Sequence, residues 1–325
     1  KIDLLITSRV VSNNYGMAPD SYVLYNQGDG HFKNVTSQVA PFLNQIGFIT
    51  SANSVDLDKD GVNEIILTHQ WGGIDVIHTS KQWVKSSMTD LPGWWNFTTA
   101  VDIDQDGDLD IIAGNLGLNT RLNASEEQPV KMYYNDFDDN GTKEQIVTYF
   151  VQNKEIPFAN KDEIQRQIPL IKKKFLYAED FAKAKLTDIF GKDKLNKSIT
   201  YTSYHFANTL FINDGKGHFT ASDLPWQAQM TTYKTALVVD ANGDALPDVM
   251  LMGNFYENNV QMGRYDADYG LVLLNKGKGH LEPQVLNQYV VKGQVRHLVP
   301  LHIGKQEAML MVKNGDTTKV IQFIK

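Results

Sequence analysis

Five aspartates stand at alternate positions in the stretch "VDIDQDGDLDIIAGN" (101–115): Asp102, Asp104, Asp106, Asp108 and Asp110. Carboxylates spaced this way around a glycine turn suit a hard cation held by oxygen ligands. An EF-hand loop would require flanking helices and a bidentate Glu at its twelfth position, which counted from Asp102 is Ala113. Ile111 and Ile112 instead open a β-branched run that reads as strand. The stretch is therefore a shorter loop, closed by Asp110 at its ninth position and set between strands. In such a loop, side chains at positions one, three, five and nine can converge on an ion. The carbonyl of position seven adds a ligand, and glycine at six permits the turn.

The pattern recurs along the chain. "DLDKDGVNE" (56–64) offers Asp56, Asp58, Asp60 and Glu64, with the Val62 carbonyl. The second copy offers Asp102, Asp104, Asp106 and Asp110, with the Asp108 carbonyl. "DFDDNGTKE" (136–144) offers Asp136, Asp138, Asn140 and Glu144, with the Thr142 carbonyl. "DANGDALPD" (240–248) is a degraded copy with Asp240, Asn242, Asp244 and Asp248, and Ala245 where the glycine should be. All-oxygen sets rich in carboxylate point to Ca²⁺ over zinc, which prefers His and Cys, and over magnesium, which keeps several waters. Three calcium sites are expected, with a fourth open at 240–248. Asp/Asn-rich turns are common between strands without any ion, but repetition in phase with strands favours the metal. Crowded carboxylates repel one another and a cation reverses that sign. Four divalent ions would take the formal charge of −7 to about +1. No acid–base pair beside these loops is evident, so the ions read as structural staples.

A second motif alternates with the first: "LYNQGDGHF" (24–32), "LFINDGKGHF" (210–219) and "LLNKGKGHL" (273–281). Each reads as a strand, an Asn/Gly hairpin turn and a returning strand. "KIDLLIT" (1–7) aligns with "VNEIILT" (62–68), which puts Asp3 at a ninth position. The chain is accordingly expected to begin inside a repeat, as a piece of a longer protein. Asp56 to Asp102 and Asp102 to Asp136 bracket the ~40–50 residues of a four-stranded propeller blade. The longer gap to Asp240 signals an insertion. That insertion, about 155–200, reads as helical: Ile164, Ile168 and Ile171 keep helical spacing, and Phe181 to Ile189 form a second amphipathic run. Pro169 should split the first helix and Gly191 should stop the second. Residues 291–325 read as a last blade without an acidic loop. The expected fold is all-β: a single β-propeller domain over 1–325, with about six to seven four-stranded blades and a small α-helical insertion.

Together the two motifs resemble the FG-GAP/VCBS repeats of integrin-type β-propellers. The stretches "GWWNFTTAVDIDQDGDLDIIAGNLGLNTR" (93–121), "IPLIKKKFLYAEDFAKAKLTDIF" (168–190) and "MGRYDADYGLVLLNKGKG" (262–279) are similar to the C-terminal propeller of VCBS-repeat surface proteins of Bacteroidetes. The resemblance implies a calcium-bearing propeller in an exported protein, cell-surface, outer-membrane-associated or periplasmic, with a lipid anchor on a preceding part. It covers 56–64, 102–110 and 136–144 well. The loop 240–248 departs from it at Ala245 and Pro247.

Hydrophobic residues make up 42% of the chain and charged residues 21%, as in ordinary globular proteins. No apolar run is long enough for a transmembrane helix. The negative charge and lack of a basic stripe argue against nucleic acid as a partner, and the absence of cysteine excludes disulfides and thiolate chemistry. Segments that follow the metal-loop strands should gather on one face. They carry Tyr15, His69, Trp71, Asn115, Asn119, Arg121, Asn254, Tyr256, Arg264 and Tyr265. Amides, arginines and flat rings in a concavity suit a glycan or a protein ligand, with Trp71, Asn119, Arg121, Tyr256, Arg264 and Tyr265 as candidates. Equally, the aromatics can be packing residues and the asparagines turn formers. The helical insertion is expected to leave from the same end and wall that face. Two function classes follow: a binding or adhesion module, and a carbohydrate-active enzyme, a lyase or hydrolase. The enzyme would need a convergent acid–base set, for which Glu257, Asp266, Asp268 and His205 remain.

Overall fold

The computed structural model describes residues 2–80, 82–286, 290–304 and 306–322. Lys1 and Phe323, which belong to the first and last repeats read from the sequence, lie outside them. Alternating strands and tight turns give six antiparallel sheets of three or four strands. β1 (Leu4–Ile6), β2 (Tyr22–Gly28) and β3 (His31–Asn34) form the first, followed by the one-turn helix α1 (Thr36–Val39). β4 (Phe48–Val55), β5 (Glu64–His78) and β6 (Val84–Trp94) form the second. β7 (Phe97–Val101) and β8 (Asp110–Gly114) open the third.

The chain then leaves that sheet to build another. β9 (Val130–Asn135), β10 (Glu144–Val151) and β11 (Lys154–Pro157) precede five short helices: α2 (Lys161–Gln167), α3 (Leu170–Lys174), α4 (Ala178–Lys183), α5 (Leu186–Phe190) and α6 (Lys192–Asn196). β12 (Ile199–Ser203) returns beside β9, giving the order β11-β10-β9-β12. Only then do β13 (Thr209–Asn213) and β14 (Phe219–Asp223) complete the third sheet, β14-β13-β8-β7. β15 (Tyr233–Val239), β16 (Asp248–Gly253), β17 (Leu271–Asn275) and β18 (Leu281–Val285) make a plain four-stranded meander. β19 (Gln294–Ile303), β20 (Gln306–Asn314) and β21 (Lys319–Ile321) make the last sheet.

The central strands explain how the sheets stack. β8 and β16 are buried along their whole length, so both faces must meet apolar neighbours. In β8, Ile111 and Ala113 pack towards Ile66, Ile74 and Val76 of β5, while Ile112 packs towards Val249 and Leu251 of β16. In β16, Met250 and Met252 turn to the other side and meet Val295, Met309 and Met311. Val23, Ile49 and Leu67 fill the space between the first two sheets. Five sheets thus follow one another face to face, each pair sharing its own core. Their inner strands stand side by side, β4 on β7, β7 on β15 and β15 on β19. With Arg9, they line a common cavity of about 750 Å³.

The β9–β12 sheet stands outside this series, and here the structure differs from the sequence expectation. The spacing from Asp102 to Asp136 makes the third acidic loop the next blade, with only the helices inserted. Instead the whole of β9–β12 and α2–α6 is nested between β8 and β13. The neck of the insertion is clamped: the Asn115 N–H donates to Asn208 Oδ1 (2.6 Å) and the Gly117 N–H to the Phe206 carbonyl (2.8 Å). One face of the nested sheet carries the helices, whose Ile164, Ile168, Ile171 and Phe181 pack with Phe137 and Ile146. Asn160 caps α2 reciprocally with Glu163, Pro169 separates α2 from α3, and Gly191 ends α5 at φ +84°. The opposite face, with Val130, Met132 and Tyr149, lies on Phe48, Trp71, Leu116 and Tyr265 of the stacked sheets. Six to seven four-stranded blades were expected. Among the described residues, five sheets stand in series, two of them four-stranded.

Candidate functional site

All four acidic loops adopt one backbone. Each joins two neighbouring strands of one sheet: β4–β5, β7–β8, β9–β10 and β15–β16. Positions four and six are left-handed throughout, as Lys59 (+60°) and Gly61 (+88°), Gln105 (+63°) and Gly107 (+102°), Asp139 (+60°) and Gly141 (+86°), and Gly243 (+82°) and Ala245 (+65°). The ninth residue braces each loop from below. Leu57 N–H donates to Glu64 (3.0 Å), Ile103 to Asp110 (2.9 Å), Phe137 to Glu144 (2.9 Å) and Ala241 to Asp248 (2.8 Å). Asp110 and Asp248 use their other oxygen to hold the second motif, accepting from the N–H of Asn213 and of Asn275. Asp3 does the same for Asn26. The two motifs are therefore two halves of one hydrogen-bonded unit.

The first three loops also share the grip on position one. Gly61, Gly107 and Gly141 donate their N–H to Asp56, Asp102 and Asp136 at 3.1, 3.1 and 2.8 Å. Positions seven, Val62, Asp108 and Thr142, donate to the fifth side chains Asp60, Asp106 and Asn140. Carboxylate oxygens of Asp56, Asp58 and Asp60 lie within 4.8 Å of one another, as do those of Asp102, Asp104 and Asp110, and of Asp136, Asp138 and Glu144. Burial, then crowding by Asp104 and Asp106, pushes the Asp110 carboxyl up; burial, then Asp138 and Asp136, does the same to Glu144. One buried oxygen in each of these loops has no hydrogen-bond donor: Asp56 Oδ1, Asp102 Oδ1 and Asp138 Oδ1. A buried acceptor without a donor is costly, and three at corresponding clusters fit a cation. In the third loop Asn140 Oδ1 accepts from both the N–H and the hydroxyl of Thr142. His78, at the end of β5, comes within 3.5 Å of Glu64. No sequence signal marked it, since it lies outside the repeated spacing.

The fourth loop differs in its side chains. Here the N–H of Gly243 at position four binds Asp240 (2.7 Å), and the Asn242 amide donates to Asp244 (2.8 Å). Asp244 and Asn242 thus satisfy one another.

Of the segments that follow the metal-loop strands, Tyr15, Trp71, Leu116 and Tyr265 share one cluster, and much of it is covered. Trp71, Tyr265 and His69 retain 7%, 5% and 5% of their surface. Trp71 donates its indole N–H to Tyr15 Oη (2.7 Å), and Tyr265 Oη meets Thr120 Oγ1 (2.8 Å). Asn115 and Asn254 are buried turn braces: Asn115 binds the Trp94 N–H and the His205 carbonyl, Asn254 the Asp268 backbone on both sides. Asn119, Arg121 and Arg264 stay exposed. Asn119 donates to the Met230 carbonyl (3.0 Å), Arg121 to Tyr149 Oη (3.0 Å), and Arg264 lies 4.1 Å over the Tyr256 ring. Between the nested unit and the loops remains a cleft of about 410 Å³, whose lining includes Tyr15, Trp71, Trp94, Phe158, Met262 and Asn258.

The residues on which an acid–base set would draw have separate partners. His205 binds Thr209 Oγ1 (2.8 Å) and stacks on Trp95; Glu257 accepts from Gln294; Asp266 is exposed. Asp268 accepts from the Gly253 and Gly270 N–H groups, and burial pushes it up to about 6. No helix is long and apolar enough to cross a membrane among the described residues. No protein-family model matches the chain, and no curated protein matches it.

Proposed function

We propose that the chain is a calcium-stapled β-propeller serving as a binding module of an exported, cell-surface protein, with a glycan as ligand. Face-to-face sheets around a shared cavity support the propeller reading, with β9–β12 as a lobe seated on its loop face. Calcium fits the three clusters of carboxylates, each with an orphaned buried oxygen. When bound, the ions would neutralise carboxylates that otherwise repel. Asp56, Asp58, Asp60 and Glu64 would hold one ion; Asp102, Asp104, Asp106 and Asp110 a second; Asp136, Asp138 and Glu144 a third.

The cleft carries the binding reading. Its rings offer flat apolar faces, and Gln167, Asn258 and Asn259 offer amides, the pairing that sugar rings with their hydroxyl rims require. Screening the calcium-loaded protein on a glycan array, with Phe158→Ala alongside, tests this; Phe158 lines the cleft and is only half-buried. Binding of a neutral or acidic glycan that Phe158→Ala abolishes is the expected result. An array without hits, with a protein partner recovered instead, would replace the glycan by a protein ligand.

A further inference from the structure

Three cationic side chains gather where the central cavity approaches the aromatic cleft. Lys234 on β15, Arg9 beyond β1 and Arg296 on β19 line the 750 Å³ cavity. Lys234 and Arg9 also line a smaller one of about 150 Å³ with Trp94, Phe255 and Tyr265. None of the three is in an ion pair among the described residues. Lys234 Nζ donates to Asn96 Oδ1 (2.7 Å), Arg9 to Gln70 Oε1 (3.0 Å), and Arg296 to the Asn254 carbonyl (2.9 Å) and Gln294 Oε1 (2.7 Å). The Phe255 ring lies 5.5 Å from Lys234 Nζ and 5.7 Å from the Arg296 guanidinium. The carboxylate whose charge reaches Arg296, Glu257, is itself held by the Gln294 amide.

Bringing an ammonium into a cavity beside two guanidiniums is unfavourable, and like charges add to the cost of desolvation. Burial, then Arg9 and Arg296, pushes Lys234 down to about 7. Two further buried groups have no hydrogen-bond partner: Trp94 Nε1, a donor only, and the Thr98 hydroxyl. Other atoms of Trp94 and Thr98 line the small and the large cavity respectively. The three cationic side chains together suit a negatively charged group that only accepts hydrogen bonds, and Arg presents its fork to planar or tetrahedral oxyanions. The rest of the large cavity, including Thr50, Asn53 and Thr99, is rich in hydroxyls and amides.

We propose that Lys234, Arg9 and Arg296 form an oxyanion site for the carboxylate or sulfate group of an acidic saccharide. The choice of a saccharide as carrier rests on the binding-module reading; the oxyanion site does not. Titration calorimetry on the calcium-loaded full chain tests it with three probes: a glucuronate-bearing tetrasaccharide, a neutral glucose tetrasaccharide and sodium sulfate. The acidic tetrasaccharide is expected to bind, with affinity falling at least tenfold in Lys234→Met and in Arg9→Gln, and falling with added salt. Arg9 is exposed, so Arg9→Gln keeps the test valid if Lys234→Met does not fold. Saturable sulfate binding without the acidic saccharide would keep the site and make a free oxyanion its ligand. Failure of both anions, or affinities unchanged in both variants, would overturn the proposal. Binding of the neutral saccharide that is lost in Phe158→Ala but indifferent to Arg9→Gln would sustain the cleft reading alone and overturn the oxyanion site.

Discussion

Ala245 isolates what a single methyl group costs in these loops. It holds the left-handed conformation of Gly61, Gly107 and Gly141 at φ +65°, which an L side chain occupies at a cost of about 1–2 kcal/mol. Ala245→Gly should therefore stabilise the protein by roughly 0.5–1 kcal/mol after the added freedom of the unfolded chain is subtracted, read as a rise in urea midpoint. The reverse change has no steric obstacle, since a Cβ at Gly61 or Gly141 would meet nothing within 4 Å. Gly141→Ala should still destabilise, by about 1 kcal/mol; an unchanged midpoint would mean the backbone angle is not what matters. Lys234 makes a second residue-scale case. Its folded value, about 7, lies below the ordinary lysine value, so the unfolded chain binds the proton more tightly. The resulting penalty is full below pH 7 and vanishes as pH rises towards 10.5. Arg9, Arg296 and His297 share its large cavity and Tyr265 its small one, with Asn96 accepting from its ammonium. Lys234→Met should raise stability at pH 6 by about 1–3 kcal/mol and by much less at pH 10. Equal gains at both values would show that the ammonium is not under strain.

At the scale of elements, the hairpins were legible and their assignment to sheets was not. Asp and Gly at fixed spacing specify a strand–loop–strand unit through bonds within the unit, such as Gly107 N–H to Asp102 and Ile103 N–H to Asp110. Nothing in such a unit states which sheet it joins. The pairing of β8 with β13 places Ala113 opposite Thr209, and the whole nested unit lies between them in sequence. Burial on the loop face was equally hidden: Trp71 and Tyr265 have the composition of a binding surface, but Val130, Met132 and Tyr149 of the nested sheet pack over them. The helices could be read because Ile164, Ile168 and Ile171 need only local periodicity. Asn208 decides the nesting. It accepts from the Asn115 N–H, donates to the Ala228 carbonyl (2.7 Å), and its own N–H is taken by Gln229. Asn208→Ala leaves a buried N–H and a buried carbonyl unpaired, and should cost about 2–4 kcal/mol. Hydrogen exchange should report faster opening at Asn115 and Gly117. Unchanged exchange there would show that packing alone holds the neck.

For the whole molecule, the acidic loops link stability to the solution. Lys59 of the first loop reaches Asp108 of the second at 3.8 Å, and Lys194 of α6 pairs with Asp139 of the third and donates to the Asp136 carbonyl at 2.8 Å. These lysines offset some of the acidic charge but reach none of the orphaned oxygens. A cation would meet all three. At free calcium ~100-fold above its dissociation constant, each independent site adds about 2.7 kcal/mol, a shift of several degrees in Tm. Thermal unfolding with calcium, with magnesium and with excess chelator, at matched ionic strength, should give a large rise with calcium only, because magnesium holds its waters. Asp102→Asn should remove one increment and leave the rest. Asn242→Asp should do little, because Asp240 of this loop is gripped by the Gly243 N–H at position four (2.7 Å), whereas the other three loops grip position one by the N–H of position six. A midpoint indifferent to calcium in the wild-type chain would make the loops hydrogen-bonded turns and nothing more. The same curve in Asp102→Asn then separates the cases: a turn loses only a Gly107 contact, whereas a site loses its response to the ion.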